Sequence, residues 1–291
     1  MEQTMNQTMN QTMNQTMKQK GLTDFQLKYI AMALMVLDHI HYFFEFTGKI
    51  PIWFSMLGRL SAPLFLFCLI EGFTHTHNRK KYFIQIYSIA IVMGLIQFLI
   101  LNFGLRRPDG FYPQNQMLAT FSILLVILQG IDWCVKKQWV KGLLAIILPT
   151  ILPFVAMQFG SMIPGGWITV NILHFTILPL HTWIMDGGTF FILQGILMYL
   201  LRRHRKWQVS VFAITNVILY AIIPMVTIPN ITIQLLFTEA FEWMGSFAAI
   251  LMLLYNGERG KGNKKLCYWF YPGHVYVLCG LSYLLYFLIR S

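Results

Sequence analysis

YFIQIYSIAIVMGLIQFLILNF, residues 82–103, carries no charged side chain along its whole length. Crossing the hydrocarbon core of a bilayer takes about 20 residues of helix, so this one run is long enough to span it. Apolar runs of similar character recur on both sides, at 27–46, 54–73, 117–135, 139–159, 187–201, 209–225, 234–255 and 267–289. A soluble core has no use for so many. Hydrophobic residues make up 56% of the 291 and charged residues 11%, against about 25% charged in an ordinary soluble domain. The expected fold is all-α: a polytopic transmembrane helix bundle of about nine spans, a multi-pass protein of the cell membrane.

Most of the charges fall between the runs and set the orientation, because Lys and Arg accumulate in cytoplasmic segments. With the N-terminus inside and nine spans, the basic clusters at 79–81, 136–141, 202–206 and 259–265 all lie inside. Lys49, Arg106, Arg107 and Arg290 then lie outside. A tenth apolar stretch, 162–182, is broken by Pro164, Gly165, Gly166 and Pro179 and holds Asn171, His174 and His181. Counting it as a span would turn the last two basic clusters outward, so it reads as an outer-face loop or re-entrant segment.

The net charge of +11 is thereby mostly a topology signal. Nucleic acid is not an expected partner, since no basic soluble domain is present, whereas the inner clusters suit anionic membrane lipid. Cys68, Cys134, Cys267 and Cys279 lack metal-ligand spacing and are expected as free thiols, with no metal bound. Residues 1–20, built on copies of MNQT, read as a disordered low-complexity tail ahead of one membrane domain over 21–291. Every copy contains a methionine, so Met17 would serve as a start as well as Met1. No cleavable signal peptide is expected, because the first apolar run begins at Leu27 and is of full spanning length.

Polar groups inside apolar helices are costly and tend to serve a function. The first span holds Lys28, Asp38, His39 and His41, the second Arg59 and Glu71, the eighth Glu239 and Glu242, and the ninth His274. Asp38 and His39 are adjacent, hence about 100° apart on a helix, so Asp38 is better placed to hold a neighbour than to form a dyad with His39. His39 stands about 18 Å of rise from the inner end of its span, and Arg59 near the outer end of the next. There a neutral imidazole can act as a general base, and an arginine can stabilise an oxyanion or hold an anionic group. The plainer alternative pairs Asp38 with Arg59 across the helices and leaves His39 as a hydrogen-bonded packing residue. Glu239 and Glu242, three apart on one helix face, suit a cationic group such as a free amine, unless the span begins later and both face water. With Glu71 they are the candidate acceptor-binding carboxylates. Arg79, Lys80 and Lys81 suit phosphates, or are topology charge alone.

Three blocks then carry a resemblance. LKYIAMALMVLDHIHYFF from Leu27, LGRLSAPLFLFCLIEGFTHTHNRKKY from Leu57 and YNGERGKGNKKLCYWFYPGHVYVL from Tyr255 resemble the TraX family, membrane proteins linked to N-terminal acetylation of conjugative pilin. The likeness runs from about Leu22 to the C-terminus. In the more diverged middle, NQMLATFSILL from Asn115 follows the family's Asn…Thr pattern loosely, and His77 stands where the family commonly has Arg. The first two blocks are also similar to the wider transmembrane acyltransferase superfamily, in which a basic residue precedes a histidine by eleven positions. Lys28 and His39 keep that spacing, with Lys in place of the usual Arg.

The resemblance implies acetyl-CoA as donor and His39 as the catalytic residue in the Asp38–His39 block, with Arg59 as a binding or oxyanion residue. Lys28, Arg79, Lys80 and Lys81 would meet the donor, and His274 would lie near its pantetheine arm. His39 would take a proton directly or form a covalent acetyl-histidine. Three functions stay open: acetylation of an amine such as a peptide or pilin N-terminus, O-acetylation of an envelope glycan or lipid, and a transporter or non-catalytic membrane component. The last would usually show inverted repeats around broken midplane helices, and the sequence has no such repeat.

Overall fold

The computed structural model describes residues 21–290, so the tail at 1–20 lies outside it. Among the described residues the regular elements are helices: α1 (Asp24–Phe44), α2 (Trp53–Gly58), α3 (Ser61–His75), α4 (Arg79–Asn102), α5 (Met117–Val135), α6 (Trp139–Ser161), α7 (Gly166–Phe175), α8 (Gly188–Leu200) and α9 (Arg205–Val217). A π-helical turn (Ile218–Ile222) leads into α10 (Ile223–Thr227), followed by α11 (Ile233–Thr238), a 3-10 helix (Phe241–Phe247), α12 (Ala248–Leu253) and α13 (Lys264–Arg290).

Among the described residues six stretches are long and apolar enough to cross a membrane: Trp53–His75, Arg79–Asn102, Met117–Val135, Trp139–Ser161, Arg205–Thr227 and Lys264–Ile289. α1 has 21 residues but carries Asp24, Lys28 and Asp38. With 13 residues, α8 rises about 20 Å, short of the ~30 Å core. α7, at 10 residues, is too short to cross. It is pinned beside α4, where the Tyr87 hydroxyl donates to the Ile177 carbonyl at 2.9 Å.

The expected eighth span is not one helix. α11 ends at Thr238, the chain turns at Glu239 and Ala240, and a 3-10 helix resumes at Phe241. One side chain from within the segment and one from α9 hold carbonyls that a continuous helix would bond itself. Trp243 Nε1 donates to Leu236 O at 2.8 Å, and Asn216 Nδ2 donates to Glu242 O at 3.4 Å and Trp243 O at 3.0 Å. The expectation of one face shared by Glu239 and Glu242 is therefore corrected: Glu239 caps α11 and is exposed, while Glu242 belongs to the next element.

α3 is the central helix, with Leu64, Leu66, Phe67 and Ile70 fully buried against Leu124 and Leu128 of α5, Met198 of α8 and Phe212 of α9. α6 and α13 behave oppositely. Leu144, Ile151 and Phe159 on the first, and Val277, Leu284 and Leu288 on the second, point outward. Apolar faces of that breadth are untenable in water and fit lipid. The chain is a helical membrane protein.

Both ends of α1 are fixed, which matters because α1 carries His39. At its start, the amides of Asp24 and Phe25 donate to the carbonyls of Glu258 and Arg259 at 2.9 and 3.1 Å, filling bonds that a helix N-terminus leaves open. The Tyr-Asn-Gly block thus works as a backbone clamp, and its Gly257 and Gly260 take φ values of 84° and 71° that favour glycine. Near the other end, buried Arg107 donates to the Phe43 carbonyl at 3.1 Å and grips Asp109 with Nε at 2.9 and 3.0 Å. Burial pushes the Asp109 carboxyl up, but hydrogen bonds from Arg107 and the Phe111 amide, with the guanidinium charge, outweigh it and hold that carboxyl below its usual range.

Candidate active site

A cavity of about 280 Å³ opens inside the bundle, walled by α1, the α2–α3 corner, α5, the π turn, the 3-10 helix and α13. Its polar wall includes Asp38, His39, Arg59, Asp186, Asn216, Tyr220, Glu242 and Tyr271. It also reaches Cys267 and Phe270, in the first two turns of α13.

Asp38 and His39 diverge as their spacing requires. Asp38 Oδ1 accepts from Ser55 Oγ at 2.5 Å and from Arg59 Nη2 at 2.8 Å. The same guanidinium stands 5.4 Å from the Phe241 ring centre and 3.9 Å from Glu242. Gly58 permits this contact, because a Cβ there would run into the Asp38 side chain. The ion pair across helices is thus present, and it stands on the cavity wall. Asp38 holds Arg59, not His39.

His39 is 7% exposed and has both ring nitrogens engaged. Nδ1 lies 2.6 Å from His274 Nε2, with the ring planes 8° apart, and Nε2 lies 3.0 Å from Asn115 Nδ2. His274 Nδ1 lies 2.7 Å from the Phe270 carbonyl. The tautomers follow from donor and acceptor chemistry. A carbonyl can only accept, so His274 Nδ1 carries its proton; Nε2 of that neutral ring then accepts from His39 Nδ1–H. His39 Nε2 keeps its lone pair, which meets the Asn115 amide N–H. Asn115 Oδ1 is buried without a hydrogen-bond partner among the described residues.

The other expected site residues are distributed differently. Lys28 Nζ is 2.6 Å from Asp24, one turn earlier on α1. Arg79 pairs with Asp132, donates to Gln129 at 3.2 Å and lies over the Phe73 ring. Lys80 and Lys81 remain exposed. The four basic residues are therefore not one set of free cations: two already hold carboxylates. Glu71, expected among the acceptor-binding carboxylates, stands apart from the cavity. It lies ten residues beyond Ser61 on α3, about 15 Å of rise, off the cavity wall and 3.1 Å from Arg205. Glu242 keeps its place on the wall and Glu239 does not.

Sequence reading missed Asp186, Asn216, Tyr220 and Tyr271, and took Asn115 only as part of a loose motif. Asp186 Oδ2 accepts from the Tyr271 hydroxyl at 3.3 Å. A signal existed there, a lone acid ahead of Gly187-Gly188 in an apolar region. Tyr220 rides on the π turn, which no residue pattern announces. All four cysteines are free. Among the described residues no group of three or more His, Cys, Asp or Glu is placed to hold a metal ion.

The family described as TraX protein matches residues 24–282, which include the whole cavity wall. The chain belongs to the TraX family. This TraX chain is also similar to the probable fimbrial assembly protein FimC, serogroup H1, of Dichelobacter nodosus, at 24% identity over 264 residues, or 88% of this chain and 93% of that protein. No solved structure matches it. Within this chain, the first block supplies Asp38 and His39, the second Arg59, and the third both the clamp on α1 and His274.

Proposed function

We propose that this protein is an acetyltransferase of the cell membrane, moving an acetyl group from cytosolic acetyl-CoA to an amine at the membrane or its outer face. A peptide or pilin N-terminus is the acceptor that the reading favours, in keeping with a relative named for fimbrial assembly. The observation that carries it is His39: an imidazole on the wall of a polar cavity inside an apolar bundle, with its tautomer set so that Nε2 is the basic nitrogen. Asp186 and Glu242 on the same wall favour a cationic acceptor over a glycan or lipid hydroxyl.

The arrangement in the membrane belongs to the same reading: nine crossings with the N-terminus inside, α1, α8 and the broken 234–255 segment joining the six long spans. Cys267 then lies near the inner face, three residues into α13, so the cavity extends from the side of the cytosolic donor toward the acceptor side. Lys80 and Lys81 are free for the donor's phosphates, whereas Lys28 and Arg79 would have to exchange a carboxylate for a phosphate.

In the reaction the amine nitrogen attacks the thioester carbonyl, the C–N bond forms and the C–S bond breaks. The amine proton passes to His39 Nε2, with the Asn115 amide giving way, and ends on the departing thiolate. Arg59, already balanced by Asp38, lies on the same wall to meet the developing oxyanion. An acetyl-histidine route would use the same nitrogen.

The test is direct. Purified protein in lipid nanodiscs receives acetyl-labelled acetyl-CoA and a peptide with a free N-terminus. Labelled peptide is expected; label found on a glycan or lipid hydroxyl and not on the amine would contradict the acceptor, and no transfer to any acceptor would contradict the activity.

A further inference from the structure

We infer that His274 is a positioning residue that relays and holds the proton taken up by His39. The inference rests on the proposed acetyl transfer. Four groups form one line: Asn115 amide, His39, His274 and the Phe270 carbonyl, joined at 3.0, 2.6 and 2.7 Å. Each link has a fixed direction. Asn115 Nδ2 donates to His39 Nε2, His39 Nδ1 donates to His274 Nε2, and His274 Nδ1 donates to Phe270 O.

When an acceptor N–H replaces the Asn115 amide, its proton arrives at His39 Nε2 as the C–N bond forms. The proton already on His39 Nδ1 can then cross to His274 Nε2, leaving His39 neutral and His274 an imidazolium. The relay stops there, because a peptide carbonyl accepts a hydrogen bond and does not hold a proton. The Phe270 carbonyl stays hydrogen-bonded to His274 Nδ1–H throughout, so it holds the imidazolium in place while the proton is parked. The return path runs backward: His274 Nε2 gives its proton to His39 Nδ1, and His39 Nε2 gives one to the thiolate. No proton is gained or lost, and no other reactant is required.

Asn115 contributes a second observation. Its Oδ1 is buried without a partner among the described residues, beside the nitrogen that must receive the proton. Asn115 lines a separate small cleft with Ala90, His174 and Pro179 and not the cavity, so its amide has to swing away from His39 before an acceptor from the cavity reaches that nitrogen.

A structural role for His274 would be to hold His39 in its tautomer, and glutamine can do that, since its Oε1 accepts from His39 Nδ1–H without carrying a proton. His274→Gln is therefore the informative variant, with His274→Ala beside it. In the nanodisc assay, His274→Gln is expected to lose about a hundredfold or more in kcat, with KM for acetyl-CoA and for peptide unchanged. Rescue to the wild-type rate by Gln would overturn the relay. Nitrogen-15 NMR of histidine-labelled wild-type protein gives a readout independent of turnover. A scalar coupling between His39 Nδ1 and His274 Nε2 across the hydrogen bond is expected, and its absence overturns the relay whether or not acetyl is transferred. A wild-type protein that shows the coupling but transfers no acetyl overturns the proposed function; one that transfers while His274→Gln keeps pace overturns the relay alone.

Discussion

Asp38 and His39 are consecutive, yet one locks an arginine and the other ends in a chain of histidine and amide partners. Replacing them should therefore fail in different ways. His39→Ala is expected to abolish acetyl transfer while leaving acetyl-CoA affinity within a few-fold, because proton transfer is lost and the donor's phosphate contacts are not. Turnover and equilibrium binding on the same preparation check this, and near-normal turnover would remove His39 from the chemistry. Gly58 gives a second test. An added Cβ meets Asp38 with no room to spare, so Gly58→Ala should push the carboxylate off Arg59 and lower stability by about 1–3 kcal/mol. Thermal unfolding in detergent reads the loss; an unchanged midpoint would show that the α1–α2 contact is looser than the geometry states.

Elements divide by what they touch: α3 is buried on all sides, α6 and α13 carry lipid-facing stripes, and α1 is held at both ends so that His39 stays in register with α13. The basic run at 79–81 splits by partner. Arg79→Gln should lower stability by more than the ~1 kcal/mol of an exposed pair, since the largely buried Asp132 loses its close cation and is left with the Tyr199 hydroxyl and an Arg202 at 4.0 Å. Lys80→Gln with Lys81→Gln should weaken acetyl-CoA binding, most visibly at low salt, at no cost in stability. The opposite pattern, with Arg79 governing binding and the lysines stability, would contradict this division. Much of this was legible beforehand. Uncharged runs mark α4, α5, α6 and α13 because one residue class repeated over a bilayer's thickness is a strong signal. The break within 234–255 was not legible, because Asn216, which holds the carbonyls of Glu242 and Trp243, is more than twenty residues away in sequence. His39, Arg59 and His274 could be singled out as costly groups in apolar helices, but their joining is tertiary. Asp186 escaped notice because it stands just ahead of the 187–201 run, outside every expected span.

For the whole molecule, the proposed arrangement predicts that a reporter fused near Lys261 is cytoplasmic and one fused after Arg290 is external. A cytoplasmic C-terminus would remove one crossing, and the segment to doubt first is 234–255, which forms three short pieces. Across the bundle, the cavity links the start of α13 to Asp186 and Glu242, with His39 on its wall. That layout has a purpose if a cytosolic thioester and an amine from the other side meet at one imidazole. Its most direct test is mass spectrometry of surface-peptide N-termini and envelope glycans from cells carrying the wild-type protein, His39→Ala, or neither. N-terminal acetyl groups present with the wild type and absent from the other two are the predicted result; acetylation that is identical in all three, or that follows the protein but survives His39→Ala, would contradict the account.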